Sequence, residues 1–171
     1  MHPIFKPTTI TRGFTLIELI TAIAIVSVLM TIAVPSFFYL TAWYRAQAAV
    51  DDFASGLEKA RYLAVRKGAT IKMSVDIDGD GKLDPGFCIY SDDDKNHKVS
   101  EKDRVFYIQN FKGVNINKEK TSIDKTSKPL NFYKSGFVKG GSLWIEFPSG
   151  KYKKITLLPP LGEIKITTET I

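Results

Sequence analysis

Gly13-Phe14-Thr15-Leu16-Ile17-Glu18 opens a run that stays apolar to Val34 and meets Pro35. Between Arg12 and Arg45 the only charged residue is Glu18. From Leu19 to Val34 apolar residues fall on every side of a helical wheel, interrupted by Thr21, Ser27 and Thr31. A helix apolar all round belongs in lipid or in a protein core. Crossing a bilayer as a helix takes ~20 mostly apolar residues, and Phe14 to Leu40 supplies them. Lys6 and Arg12 precede the run, which predicts a cytoplasmic N-terminus and an exported remainder.

Glu18 does not suit a simple anchor. An acid at the centre of a spanning helix costs roughly 2.5 to 3.5 kcal/mol, less near its end, and it still needs a partner. Cleavage after Gly13 would give Phe14 a free α-ammonium group. A neighbouring subunit could present that group to Glu18, and the charge pair would fix the stagger of an assembly. A secretory signal cut at small residues fits poorly, because Pro35-Ser36-Phe37-Phe38 follows the apolar region.

Gly13-Phe14-Thr15-Leu16-Ile17-Glu18, the apolar run and the basic leader together resemble the processing site of type IV prepilins and type II secretion pseudopilins. Pro35, at position 22 counted from Phe14, matches the proline that these proteins commonly carry. The resemblance implies cleavage between Gly13 and Phe14 by a prepilin peptidase, N-methylation at Phe14, and packing of the helix with other pilin or pseudopilin subunits in a filament core. It assigns Glu18 and Pro35 to assembly. It also implies a bacterial inner-membrane precursor with a single pass and a periplasmic C-terminal domain, later moved into a pilus or pseudopilus.

At 171 residues the chain suits one anchor and one domain. Its net charge is +6, and loss of the leader with Lys6 and Arg12 lowers that by two, to +4, a mild excess that does not by itself argue for nucleic acid. Cys88 is the single cysteine, so the exported domain has no internal disulfide. Between Phe87 and Ile89 it reads as a small buried hydrophobe.

The expected organisation is a leader over 1–13, a transmembrane or filament-core helical half over 14–40, an amphipathic half over 41–67, and a periplasmic β-rich domain over 68–171. The helix should span on the order of 80 Å, with a kink or local melting at Pro35. Val50, Phe53, Leu57, Ala60 and Ala64 recur at three- and four-residue spacing, with Asp51, Asp52, Glu58, Lys59, Arg66 and Lys67 on other faces, as in a helix laid on a globular core. Gly56 marks a close approach of a strand, and Gly68 is a stop signal.

From Ala69 the pattern turns to strands. Ile71, Met73, Val75 and Ile77 alternate with Lys72, Ser74 and Asp76. Further strands are expected at Phe87–Ser91, Arg104–Phe111, Val114–Asn117, Leu130–Tyr133, Ser142–Phe147, Lys151–Leu158 and Glu163–Thr168, with a hairpin at Phe147-Pro148-Ser149-Gly150. Glu119–Lys128 reads as a mobile loop. One long helix before many short strands predicts an α+β fold, a kinked helical spine on an antiparallel sheet or sandwich.

This half is similar to the GspH/FimT-type minor pseudopilins and minor pilins: Ala60-Arg61 and Ala64 before Gly68, Asn131-Phe132-Tyr133-Lys134-Ser135-Gly136, and the closing Leu161-Gly162-Glu163-Ile164.

Three segments carry candidate sites. Asp76, Asp78, Asp80 and Asp84 stand at positions 1, 3, 5 and 9 of a calcium-type loop with Gly81 at 6 and Leu83 at 8. Phe87 occupies position 12, where a bidentate acid is expected. A solvated turn is the plainer alternative, although four neighbouring carboxylates repel one another unless a cation joins them. Asp92-Asp93-Asp94-Lys95-Asn96-His97, with Glu101 and Asp103, reads as a solvated loop interspersed with lysines, or as a contributor to the same metal. Lys151, Lys153, Lys154 and Lys165 are candidates for phosphate contacts, or simply guard a strand edge. Some FimT-type pilins bind DNA through basic residues around the C-terminal glycine. Here the matching segment is Gly162-Glu163-Ile164-Lys165, with Glu163 where a positive charge would serve.

No catalytic constellation is evident, and an enzyme is not expected. The leading expectation is a minor pilin or pseudopilin of a type IV pilus or type II protein-secretion system. The alternative is a DNA-binding minor pilin acting in DNA uptake.

Overall fold

The computed structural model describes residues 13–123 and 129–170. The leader before Gly13, with Lys6 and Arg12, lies outside the described residues, as does the second half of the Glu119–Lys128 loop. The elements are α1 (Leu16–Lys67), β1 (Ile71–Ser74), β2 (Gly86–Ser91), β3 (Arg104–Asn110), β4 (Leu130–Phe132), β5 (Gly141–Glu146), β6 (Lys151–Leu158) and β7 (Glu163–Thr170). The fold is α+β, with all strand pairs antiparallel.

Two compact units divide the chain, one ending at Phe38 and the other beginning at Tyr39. In the first, every residue from Gly13 to Phe38 is exposed. The helical assignment runs unbroken through Pro35, so the expected local melting is not seen. Ser27, Thr31 and Ser36 each donate a hydroxyl to the carbonyl four residues back. Their polar atoms are thus satisfied within the helix, which suits an apolar environment.

In the second unit the stripe read from the sequence is the face that is buried. Val50, Phe53, Leu57, Ala60 and Ala64 are joined by Ala46, Ala49 and Gly56. Alanines and a glycine on that face let the helix sit close to the strands. A Cβ on Gly56 would fall 2.5 Å from the Phe87 ring on β2, the close approach that the glycine predicts. The helix stops at Gly68, whose φ of 61° favours glycine, while Ala69 N donates to Ala64 O at 3.3 Å.

The strands form a four-stranded sheet, β3-β2-β1-β4, and a three-stranded sheet, β5-β6-β7. One apolar cluster joins the helix face with Ile71, Met73, Phe87, Ile89 and Phe132 from the first sheet and with Leu143, Ile145, Ile155 and Leu157 from the second. The hairpin closes as expected: Gly150 N donates to Phe147 O at 3.0 Å, and Phe147 N to Lys151 O at 2.9 Å. Cys88 is fully buried, in keeping with its reading as a small hydrophobe.

The β1 segment is buried on both sides: Lys72, Ser74 and, just beyond the strand, Asp76 are buried as well as the apolar row. β1 is a central strand, and the connections that follow β1 and β2 supply partners for these polar residues. Two expectations are corrected. Val114–Asn117 is not a full strand but an isolated bridge, Ile116 to Ile145, flanked by Asn117 N to Trp144 O and Glu146 N to Asn115 O. The described first half of the Glu119–Lys128 loop is pinned, with Thr121 and Ile123 buried and Ser122 N donating to Ser142 O at 2.9 Å.

Candidate functional site

At the N-terminal end, Phe14 is 84% exposed and precedes the first helical residue, Leu16. Glu18 N donates to Thr15 Oγ1 at 3.3 Å, and Leu19 N donates to Thr15 O at 3.2 Å. Thr15 is therefore the helix cap, and Glu18 stands three residues on, the spacing of a capping box. An acid in the first turn also faces the positive end of the helix dipole. The bond to Thr15 is made by the Glu18 main chain, and its carboxylate bears on the start of the helix through the dipole alone. The Thr-x-x-Glu spacing is the signal for the cap in the sequence. Thr21 Oγ1 donates to Glu18 O at 2.9 Å, and Pro35 lies inside the helix.

The first acidic loop joins β1 to β2. Its base is fastened by Asp84 N to Val75 O at 2.8 Å. Asp76, Asp78 and Asp84 each offer a carboxylate oxygen within 4.8 Å of the others. Asp76 Oδ2 accepts from Gly81 N at 2.9 Å, Asp78 Oδ1 from Asp80 N at 3.1 Å, and Asp84 Oδ2 from Ile77 N at 2.8 Å. Burial pushes the Asp76 carboxyl above its ordinary pKa, helped by the charges of Asp78 and Asp80 and opposed by the nearby backbone amides of Gly81 and Gly79. Asp80, expected as the fourth ligand, stands outside this group. Lys82 Nζ donates to its Oδ2 at 2.8 Å and Lys82 N to its Oδ1 at 2.7 Å, and these bonds hold its pKa down.

The second acidic loop, after β2, repeats the pattern. Asp92, Asp94, Asn96, Ser100 and Asp103 stand at positions 1, 3, 5, 9 and 12, with Val99 at 8. Asp92 Oδ2 accepts from His97 N at 3.2 Å, as Asp76 accepts from Gly81. Asp94 Oδ1 accepts from Asn96 N, as Asp78 accepts from Asp80. Asn96 Oδ1 accepts from Lys98 N, as Asp80 accepts from Lys82. His97 holds the left-handed turn, φ 65°, that Gly81 holds at 86° in the first loop. The loops meet where a Cβ on Gly79 would lie 2.4 Å from Val99 O. Asp92, Asp94 and Asp103 also bring carboxylate oxygens within 4.8 Å of one another. The environments differ in charge. The buried Lys72 ammonium pairs with Asp92 and lies 2.6 Å from His97 Nδ1. Burial works against the Asp92 charge, but hydrogen bonds from Lys72 and His97, with the Lys72 charge, hold its pKa at about 2.

The four candidate lysines do not gather on one face. Lys153 and Lys154 are successive residues of β6 and point to opposite sides. Lys153 Nζ donates to Gln47 Oε1 at 2.5 Å and lies 5.2 Å from the Phe147 ring centre, whereas Lys154 lies 5.1 Å from that of Trp144. Lys151 pairs with Thr170 at the hairpin end, and Lys165 on β7 pairs with Thr156.

Residues 10–34 match the family model described as the prokaryotic N-terminal methylation motif. No curated protein matches the chain. Among solved structures, the type IV minor pilin FimU of Pseudomonas aeruginosa is similar over 71% of this chain and 91% of that chain, with 15% identity and a TM-score of 0.48. The minor pseudopilin EpsH from the Type 2 Secretion System of Vibrio cholerae is similar over 72% of this chain and 96% of that chain, with 14% identity and a TM-score of 0.47. The match at residues 10–34, on the segment headed by Gly13, Phe14 and Glu18, identifies the chain as a carrier of the N-terminal methylation motif, in keeping with its resemblance to the type IV prepilin and pseudopilin superfamily.

Proposed function

We propose that the chain is a minor pilin or pseudopilin. Its precursor is held in the bacterial inner membrane, cleaved between Gly13 and Phe14, methylated at the Phe14 nitrogen, and built into a type IV pilus or a type II secretion pseudopilus. The observation that carries this reading is the methylation motif at the head of a helix whose residues are exposed from Gly13 to Phe38. Such a surface has to be covered by lipid before assembly and by other helices after it. Glu18, at the Phe14 end, pairs with the ammonium of a neighbouring subunit and sets the stagger.

The capping geometry dictates the test. Glu18→Gln removes the charge and keeps a side chain suited to a capping box. Thr15→Ala removes the cap and keeps the charge. Glu18→Gln is expected in the membrane, cleaved, and missing from sheared filaments, while Thr15→Ala is expected in both fractions. The reverse pattern would assign Glu18 to starting the helix and overturn the pairing role. For the DNA-uptake alternative, Lys153 and Lys154 point to opposite faces of β6 and so do not line one phosphate track together.

A further inference from the structure

We propose that the β1–β2 loop binds one calcium ion through Asp76, Asp78 and Asp84. The cluster of acids would not carry this by itself. The Asp76 side chain does: the residue is 8% exposed, and its Oδ1 is buried with no hydrogen-bond partner among the described residues. A buried carboxylate oxygen without a donor is costly, and a cation among three convergent carboxylates removes that cost. The loops after β1 and β2 provide an internal comparison. Both follow the same turn geometry, and the first carboxylate of each is buried. In the second, Lys72 supplies the positive charge to Asp92. In the first, the lysine of the loop, Lys82, is engaged by Asp80, and Asp76 has no cationic partner among the described residues.

The donor set selects the ion. Carboxylate oxygens with no soft ligand suit a hard cation, and an open loop suits the loose coordination of calcium better than the strict octahedron of magnesium. The site would brace the first loop against the second, since Gly79 packs on Val99 O.

The test is calorimetric titration of the full chain in detergent with calcium chloride to about 10 mM, above the ~0.1–1 mM range of extracellular calcium modules. One ion per chain is expected. Asp76→Asn and Asp78→Asn should each weaken binding at least about tenfold, since each removes a charged ligand. Asp78 is exposed, so its variant keeps the fold if Asp76→Asn does not. Asp92→Asn should leave the affinity within about twofold, and Asp80→Asn should cost less than Asp78→Asn. Absence of heat from the unaltered chain would overturn the proposal. So would binding lost in Asp92→Asn and kept in Asp78→Asn, or equal binding of magnesium.

Discussion

Gly56→Ala sets two opposing effects against each other at one atom. On an exposed helix the change would stabilise by ~1 kcal/mol. Here the new methyl group would lie 2.5 Å from both Cε2 and Cζ of Phe87 and 3.3 Å from Cε of Met73. That is about 1 Å inside the usual ~3.5–4.0 Å carbon separation. Met73 ends in a flexible thioether methyl and can yield, but Phe87 cannot. It is fully buried, edge-on to Phe53 at 5.6 Å and tilted against Tyr107 and Phe111 at 5.8 Å each. Overpacking a filled core costs ~1–3 kcal/mol, and two ring atoms in overlap place this case in the upper half. The net expectation is a loss of about 1–2 kcal/mol. Urea unfolding of the full chain in detergent, followed by the fluorescence of Trp43 and Trp144, should show a lower midpoint and an unchanged slope. Shrinking the ring makes room, so Gly56→Ala combined with Phe87→Leu should cost less than the sum of the two single changes. A Gly56→Ala chain as stable as the unaltered one, or strict additivity in the double variant, would refute the contact.

Asp92→Ala strands the buried Lys72 ammonium and should cost about 3 kcal/mol, whereas Lys72→Met with Asp92→Leu should recover much of that loss; denaturation midpoints compare the three. The depressed folded pKa of Asp92, about 2 against 3.8, implies stability that is present above pH 3.8 and lost as pH falls through 2. On the order of 2 kcal/mol should disappear in an acid titration of unfolding free energy and be absent in the double variant. Cys88→Ser should destabilise by roughly 1–3 kcal/mol by placing a hydroxyl in a fully buried site, and the native thiol should resist modification until the chain unfolds. Gly68→Ala, forced to the left-handed turn that ends α1, should cost about 1 kcal/mol by the same unfolding assay.

The parts of the molecule that a linear pattern specifies are legible in the sequence. The α1 stripe from Val50 to Ala64 is one, because a 3.6-residue period alone selects the buried face. The Phe147–Gly150 hairpin is another, because turn chemistry is local. Segments whose state depends on something distant are not. Lys72 and Ser74 alternate like solvent-facing residues, and only the fold shows that the following connections cover them. Asp80 has the right spacing for a cation but a nearer partner in Lys82. The second acidic loop carries its ligand spacing openly, yet His97 stands at the sixth position, where glycine ordinarily marks such a turn. Thr15 was within reach of the capping-box pattern, three residues before Glu18. The orphaned Asp76 oxygen could not be read from sequence at all, since it follows from burial.

The central claim is that Phe14 becomes the first residue of the working chain. Intact mass and N-terminal fragmentation of the protein, recovered from membranes of cells with and without a prepilin peptidase, test it most directly. With the peptidase the chain should lack residues 1–13 and carry one methyl group on the Phe14 nitrogen, and without it the leader should remain. A chain that keeps its leader in both, is cut elsewhere, or begins at Phe14 without the methyl group would contradict the account.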